Sequence, residues 1–250
     1  MKMRNVIIVG DSSFAEVAFE YFTHDSEYRV VAFAVEREHL QRSALFGLPV
    51  VALDELVMKY TPDDHDVFVA VVYGQLNRLR ARLYEDVKRM GYKCAQYISS
   101  RAFVWPNARL GEHCFVFEGN VIQPFVEIGN NVILWSGNHV GHHSLIEDHC
   151  FIASHVVISG HCHIGKHCFL GVNSTLGNNV TLGADTVVGA AALILKSAEG
   201  GHIYASNSTG PSKVTARHYY KLDKSGGENA MREGDYGAED GPRTCGTQDD

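Results

Sequence analysis

The sequence predicts a small α/β domain followed by a long parallel β-helix. Residues 1–96 alternate apolar, β-branched runs with segments of helical spacing, which is typical of βαβ units around a parallel sheet. From Ile98 to Ile194, every sixth residue is Ile, Leu or Val, with no slip in register. Such a run indicates a six-residue structural repeat, and only a repetitive fold explains it.

The first domain, residues 1–96, is predicted to contain three strands and three helices. Gly91 follows the last predicted helix and suits the position just past a helix C-terminus. The predicted strands are Asn5–Val9, Tyr28–Val35 and Asp66–Tyr73, and the predicted helices are Phe14–Phe22, Leu53–Tyr60 and Leu76–Met90.

In the second domain, residues 97–214, each hexad is predicted to form one short strand and a turn, and three hexads form one triangular coil. The aliphatic first position points inward and stacks on its equivalent one coil away, at about 4.8 Å. The fifth position, always small or β-branched in this interpretation, also points inward. Glycine recurs at the second position, where we expect it to relieve a sharp turn.

The last segment, residues 215–250, differs in composition. From Lys221 onward it has eight acidic and four basic residues and scarcely an aliphatic one. Such a segment cannot bury enough apolar surface to offset its ordering entropy, so we predict a disordered tail.

Charge and hydropathy exclude several classes of partner. A net charge of −7 and a pI near 6.0 argue against nucleic acid or an anionic membrane surface. No apolar run reaches the length of a membrane span, and the apolar run at the N-terminus is too short for a signal peptide. We therefore expect a cytoplasmic protein whose cysteines are not paired in disulfides.

The stretch 139–167 holds eight of the fourteen histidines, and the repeat distributes them. Five histidines share the fourth, outward-facing turn position, and only His143 with His161 and His149 with His167 should stack on one face. The remaining fourth-position histidine of the stretch is His155. Four cysteines fall on the inward fifth position and are predicted to be core residues: Cys114, Cys150, Cys162 and Cys168.

A zinc enzyme is disfavoured by histidine spacing. The gamma-type carbonic anhydrases resemble this repeat but use a pair of histidine ligands five residues apart. Between His113 and His202 no two histidines have that separation. We therefore expect no metal cofactor.

An α/β domain followed by an unbroken hexapeptide repeat resembles the nucleotide-sugar acyltransferases, in particular the bacillosamine-pathway and perosamine N-acetyltransferases and the sialic acid O-acetyltransferases. The resemblance covers residues 3–215. It implies a left-handed β-helix, acetyl-CoA as co-substrate, and a homotrimer with active sites at subunit interfaces. It also implies a nucleotide-sugar substrate and a role in polysaccharide or O-antigen biosynthesis.

The resemblance also assigns the chemistry. His142, at the third position of its hexad, falls on the family's catalytic base. The family usually has an acidic residue next to that base, but this chain has His143, so the group that orients His142 stays open, and Glu147 or Asp148 of the next hexad could substitute. Either histidine could be the base, and the resemblance favours His142. Gly160 matches a glycine whose amide faces the thioester carbonyl.

For the coenzyme, Ile164–Leu176, which includes Asn173, matches the segment after the acetyl-CoA groove. TGPSK, with Pro211 and Lys213, resembles the family's ending near the adenine. Phe151 is expected to contact the coenzyme too. We also expect Trp135, Phe151 and Phe125 to be buried against another surface, as in a trimer of parallel prisms.

For the nucleotide sugar, VGDSSFAEVA (Val9–Ala18) resembles the loop that cradles the phosphates. The amides at a helix N-terminus are suited to a diphosphate. Glu36 matches an acidic residue that contacts the nucleoside. The loop residues expected to bind substrate are Gly10, Asp11, Ser12, Ser13 and Phe14.

The function expected from these residues is N-acetylation of a nucleotide-linked amino-dideoxy sugar, at the C4 amine, by direct attack on the thioester. A histidine with an ordinary pKa of about 6.5 can accept the amine proton. Two alternatives stay open: a sugar O-acetyltransferase of the sialic acid type and a non-catalytic β-helix scaffold.

Overall fold

The computed structural model describes residues 4–222, and every element given below lies in that range. The first domain contains one sheet with helices around it. Its strands are β1 (Arg4–Val9), β2 (Tyr28–Val35), β3 (Ala44–Leu45), β4 (Leu48–Ala52), β5 (His65–Val69) and β6 (Lys93–Cys94). Its helices are α1 (Ser13–His24), α2 (Leu56–Lys59) and α3 (Arg78–Arg89), with 3₁₀ turns at Arg37–His39 and Leu53–Glu55.

The sheet has the order β3-β4-β2-β1-β5-β6, and it is mixed rather than wholly parallel as predicted. The exception is the edge hairpin β3–β4, whose two turn residues Phe46 and Gly47 have φ of 50° and 75°. Positive φ at both positions suits a two-residue hairpin turn. The third predicted strand also ends earlier, at Val69.

The second domain is a run of two-residue strands, each followed by a turn. They are β7 (Tyr97–Ile98), β8 (Phe103–Val104), β9 (Arg109–Leu110), β10 (Phe115–Val116), β11 (Val121–Ile122), β12 (Glu127–Ile128), β13 (Ile133–Leu134), β14 (His139–Val140), β15 (Leu145–Ile146), β16 (Phe151–Ile152), β17 (Val157–Ile158), β18 (His163–Ile164), β19 (Phe169–Leu170), β20 (Thr175–Leu176), β21 (Thr181–Leu182), β22 (Val187–Val188), β23 (Leu193–Ile194) and β24 (Ile203–Tyr204).

These strands form three parallel sheets, one for each side of the coil. A strand pairs with the strand one coil later, as in Phe115 with Ile133 and Val121 with His139. The first-position aliphatics face inward: Ile128 is 4% exposed and Ile146 and Ile164 are fully buried. The predicted left-handed parallel β-helix is confirmed.

The turn residue with left-handed backbone is the fourth of each hexad, not the second. From His113 to Ala191, the non-glycine fourth-position residues have φ between 55° and 64°. Glycine is required at the second position for a different reason. A Cβ on Gly141 would lie 2.6 Å from the backbone nitrogen of Gly160 in the next coil. Close approach of successive coils therefore requires these glycines, and the expected turn role was wrong.

The fifth position faces the core, as predicted, but it is not always small. Asn120 and Asn138 are buried there, and each donates a side-chain hydrogen bond to the carbonyl of Trp135. The four predicted core cysteines are buried. Each thiol donates to a glycine carbonyl of the next coil, as Cys150 does to Gly165 at 3.2 Å.

One side of the β-helix is covered by the first domain. Phe115 is fully buried, and Phe14 of α1 packs against it at 5.7 Å between ring centroids. Phe151 is a buried member of the same cluster, and Trp135 packs against it partly buried, within one chain. The surface that covers these two residues is therefore the first domain of the same chain, whereas Phe125 is 55% exposed.

Arg80 of α3 is fully buried and hydrogen-bonds the first domain to the β-helix. Its guanidinium donates to the Asn131 side chain at 2.9 Å and to the carbonyls of His149 and Cys150, each at 3.1 Å. Burial lowers the pKa of Arg80 to about 9. The guanidinium acts here as a fork of donors for backbone oxygens of the β-helix.

Within the described part of the chain, residues 208–222 belong to a separate unit. It contains helix α4 (Ala216–Tyr219), which begins after Thr215, whose side chain accepts a hydrogen bond from the amide of His218. The predicted disorder from residue 215 is therefore wrong for this helix, and residues 223–250 lie outside the described part. Among the helices of residues 4–222, none is long and apolar enough to cross a bilayer.

Candidate active site

His142 and His143 lie at an exposed corner of the β-helix, in the turn between β14 and β15. Their Nδ1 atoms are 3.1 Å apart, which is hydrogen-bond distance. One of the two nitrogens donates and the other accepts. The backbone amide of His142 donates to the Gln123 side chain at 2.9 Å, which fixes the start of this turn.

The His142 ring lies against Gly160, one coil further along. A Cβ built on Gly160 would sit 2.9 Å from both Cε1 and Nε2 of His142. With a side chain on residue 160, the exposed imidazole would have to move away. Gly160 therefore provides the space that the His142 ring occupies.

The amide of Gly160 is already engaged. It donates to Oδ1 of Asn178 at 3.0 Å, and Asn178 lies one coil further along. The same arrangement recurs at Glu112 with Asn130 and makes the Asn side chain part of the repeat. The expected contact of this amide with a thioester carbonyl therefore requires the Asn178 bond to open.

His143 stands in a stack of three rings at consecutive fourth positions of one corner. Phe125 lies 4.6 Å below it and His161 lies 4.9 Å above it, between ring centroids. His143 and His161 share left-handed backbone with φ of 58°. The predicted stacking of His143 with His161, and of His149 with His167, is confirmed. His149 is half-buried beside the first domain.

The residues expected to bind coenzyme belong to two different units of the chain. Phe151 is 3% exposed and packs against Tyr73 at 5.1 Å and Phe169, so its expected coenzyme contact was wrong. Asn173 is exposed at a fourth-position turn. Pro211 and Lys213 are exposed in the separate C-terminal unit.

The expected phosphate loop follows β1 at the centre of the sheet. Gly10 has φ of +124°, and a Cβ there would lie 2.8 Å from the carbonyl oxygen of Ala70, after β5. The chain order reverses between β1 and β5, and ligands of such sheets bind outside the strand ends at this point. Ser12 precedes α1 and makes no side-chain cap. Asp11 pairs with Arg42 at 3.3 Å.

Two members of the expected nucleotide site are committed to other contacts. The Phe14 ring is buried in the core, so only its backbone is free for a ligand. Glu36 forms a two-point ion pair with Arg82, at 2.8 and 2.9 Å. The hydrogen bonds from Arg82 lower the pKa of Glu36.

Gln123, Phe125, His161 and Asn178 complete the corner, and the sequence interpretation gave none of them a functional role. The signal was present in the repeat. Residues 125, 143 and 161 are one coil apart, as are 142, 160 and 178. One coil from His142 and His143 reaches Gly160, Phe125 and His161, and a second coil reaches Asn178, so only Gln123 lies outside this relation.

Two family models match the chain. Residues 5–87 match the PglD N-terminal domain, and residues 125–160 and 161–196 match the six-repeat bacterial transferase hexapeptide. No curated protein matches the sequence significantly. Each model therefore describes one of the two domains.

Solved structures match both domains together. The acetyltransferase domain of PglB from Neisseria gonorrhoeae is 25% identical, with a TM-score of 0.73 over 84% of this chain and 100% of that one. Its complex with acetyl coenzyme A is also 25% identical, with a TM-score of 0.74 over 84% of this chain and 99% of that one. A histidine-to-asparagine variant of perosamine N-acetyltransferase from Caulobacter crescentus, with CoA and GDP-perosamine, is 27% identical, with a TM-score of 0.72 over 81% and 93%.

The domain order, the repeat and these matches agree with the resemblance drawn from the sequence. The chain is an acetyltransferase of the hexapeptide-repeat superfamily, of the nucleotide-sugar type.

Proposed function

We propose that this chain transfers an acetyl group from acetyl-CoA to the C4 amine of a nucleotide-linked amino-dideoxy sugar, with His142 as general base. The observation that carries the proposal is the pair of adjacent imidazoles, His142 and His143, seated over Gly160 on a hexapeptide β-helix. The similar proteins that bind acetyl coenzyme A, or CoA with GDP-perosamine, support the choice of both substrates.

His143 takes the place of the family's acidic residue in orienting the base. If Nδ1–H of His142 donates to Nδ1 of His143, at 3.1 Å, the lone pair of His142 is on Nε2. The stack between Phe125 and His161 holds the His143 ring in place. We therefore assign the base to His142 and its orientation to His143.

The reaction proceeds by direct attack. The sugar amine adds to the thioester carbonyl carbon, and its proton passes to Nε2 of His142. The carbon–sulfur bond then breaks, the amide forms, and the imidazolium returns the proton to the CoA thiolate. The step needs no acyl-enzyme and no additional reactant.

The developing oxyanion requires a donor, and Gly160 is the candidate. Its amide would exchange the Asn178 side chain for the thioester oxygen when the coenzyme binds. Donors of this kind contribute about 3 kcal/mol to transition-state stability in enzymes where one has been removed.

The first domain would hold the nucleotide sugar at the strand ends of β1 and β5. There the Gly10 loop leads into α1, and the free amides of the first turn suit a diphosphate. Glu36, at the end of β2, would contact the nucleoside after partial release from Arg82. Metal has no role in the proposed transfer.

A homotrimer is proposed with the active sites between subunits, as the family resemblance implies. Large apolar residues are exposed on and beside the sheet that contains β8, β14 and β23. Phe103 is 54% exposed, Trp105 43% and Leu193 61%, and a neighbouring prism would cover such a surface. We further propose that the protein works in the cytoplasm, in polysaccharide or O-antigen biosynthesis.

Calorimetry with acetyl-CoA tests the enzyme against a scaffold, because a scaffold would not bind the coenzyme. A thiol-release assay with paired amino and hydroxy nucleotide sugars tests the acceptor. The proposal requires turnover with the amine; turnover with the hydroxyl alone would establish an O-acetyltransferase.

A further inference from the structure

His142, His143 and His161 form a cluster that goes beyond the needs of a general base. Each offers one ring nitrogen, and these three nitrogens lie within 4.8 Å of one another. His142 and His161 have ring centroids 5.0 Å apart, and all three side chains are exposed. Proton transfer needs His142 and one orienting partner, His143; His161 stacks on His143 but takes no part in the proton transfer itself.

The fold itself brings the three rings together. His143 and His161 are fourth-position residues one coil apart, and both have left-handed backbone that fixes where their side chains start. His142 precedes His143 directly and lies over the backbone of Gly160, next to His161. The cluster is therefore a product of the coil repeat, and it is present before any ligand binds.

Three imidazoles on one corner match the ligand set of an open zinc site. Zinc binds histidine nitrogen at about 2.0–2.1 Å, and a tetrahedral centre places its ligands roughly 3.3 Å apart. The Nδ1 atoms of His142 and His143 are already 3.1 Å apart. The His161 nitrogen lies within 4.8 Å of the other two, and the exposed His161 ring must turn out of its near-parallel stack with His143 to direct its lone pair at the same ion.

We propose that His142, His143 and His161 bind a divalent transition-metal ion, Zn²⁺ by preference among abundant ions, and that the bound ion inhibits acetyl transfer. The ion takes the nitrogen lone pairs, so His142 is held in a new orientation and the His142–His143 hydrogen bond is lost. Inhibition rests on the proposed function of His142, whereas metal binding does not.

Cobalt is the direct probe, because Co²⁺ at a site with histidine ligands gives visible absorption bands. The full chain without a tag is titrated with Co²⁺ and then with competing Zn²⁺. His161→Asn is the test variant, since Asn tolerates left-handed backbone. His155→Asn is the matched control, because His155 has the same φ of 58° and exposed position but lies outside the cluster.

We expect one Co²⁺ per chain in the wild-type protein and in His155→Asn, and affinity lower by at least about tenfold in His161→Asn, as for lost metal-site partners. The second candidate group in the described residues, Glu36 with Glu38 and His39, is unchanged in both variants and cancels in the comparison. Equal Co²⁺ affinity in the wild type and His161→Asn overturns the site.

Turnover with and without Zn²⁺ tests the inhibition separately. The ratio of turnover with Zn²⁺ to turnover without it should fall well below one for the wild type and return to one when EDTA is added. For His161→Asn this ratio should stay near one. If Co²⁺ binds but Zn²⁺ does not inhibit turnover, the inhibitory role is overturned and the metal site is upheld. If the protein shows no acetyl transfer at all, the proposed function fails and the cobalt result still decides the site.

Discussion

The imidazole of His142 lies across Gly160 so closely that a methyl group on residue 160 would sit 2.9 Å from Nε2. These two residues are one coil apart in the β-helix, so the coil repeat brings Gly160 next to His142. The candidate base is therefore positioned by the absence of a side chain in the next coil.

Gly160→Ala is predicted to lower turnover by at least about tenfold, because the new methyl displaces the His142 ring from its orientation. The KM for acetyl-CoA and the melting temperature should change much less than kcat. Gly74→Ala is a suitable control, since a Cβ there meets only Leu79 Cδ2, at 3.9 Å. Full activity in Gly160→Ala would show that the His142 orientation seen here is not required.

Glu36→Gln is predicted to raise the KM for the nucleotide sugar by about tenfold, since a charged hydrogen-bond acceptor is lost. The KM for acetyl-CoA should not change, because this residue belongs to the first domain. Steady-state kinetics with each substrate varied in turn separates the two constants. The neighbouring exposed Glu38→Gln is the control, and an equal effect of both variants would argue against a specific nucleoside contact.

Arg80→Met is predicted to reduce the free energy of unfolding by at least about 3 kcal/mol, because several buried carbonyl oxygens lose their donor. These include the carbonyls of His149 and Cys150. Urea unfolding measures the change. Arg89→Met removes an exposed arginine of the same helix and should cost less than about 1 kcal/mol. Similar losses of unfolding free energy in the two variants would contradict the role of Arg80 in holding the two domains together.

Stability should fall with acid because of His113. Its Nε2 accepts a hydrogen bond from the amide of Val69 at 2.7 Å, and its Nδ1 donates to Asn131. Burial, and to a lesser extent the nearby charges of Arg80 and His149, lower its pKa to about 3 from an ordinary 6.5. The unfolded chain therefore binds the extra proton between these values. Stability is complete above about pH 6.5 and declines as pH falls toward 3.

The slope from this one histidine should approach about 1.4 kcal/mol per pH unit. His149, with a pKa lowered to about 4, adds to it in the same direction. Urea unfolding of the wild type and His113→Gln at several pH values between 7.5 and 5 measures the difference. The variant should show the shallower decline, and identical slopes would contradict the assignment.

The β-helix was predictable from the repeat, because a strict period of six determines whether each position of the hexad faces the core or the solvent. It predicted the buried cysteines and the stacking of His143 with His161 without any long-range information. The βαβ domain was predictable as a class, but its edge hairpin was not. The hairpin depends on Phe46 and Gly47 adopting positive φ together, for which one glycine is a weak signal.

The candidate site was predictable only along the repeat. His142 and Gly160 are related by the period, whereas the burial of Phe151 depends on which side of the β-helix the first domain covers. The hydrogen bonds from the Arg80 guanidinium to carbonyls of the β-helix likewise join residues far apart in sequence. No local pattern in α3 distinguishes this arginine from its exposed neighbours.

The most direct test is CoA thiol release with a nucleotide-linked 4-amino sugar, measured for the wild type, His142→Ala and the control His155→Ala. We expect turnover in the wild type and in His155→Ala, and a decrease of at least about a hundredfold in His142→Ala with the folded protein intact. Undiminished thiol release in His142→Ala would contradict the assignment of His142 as the base.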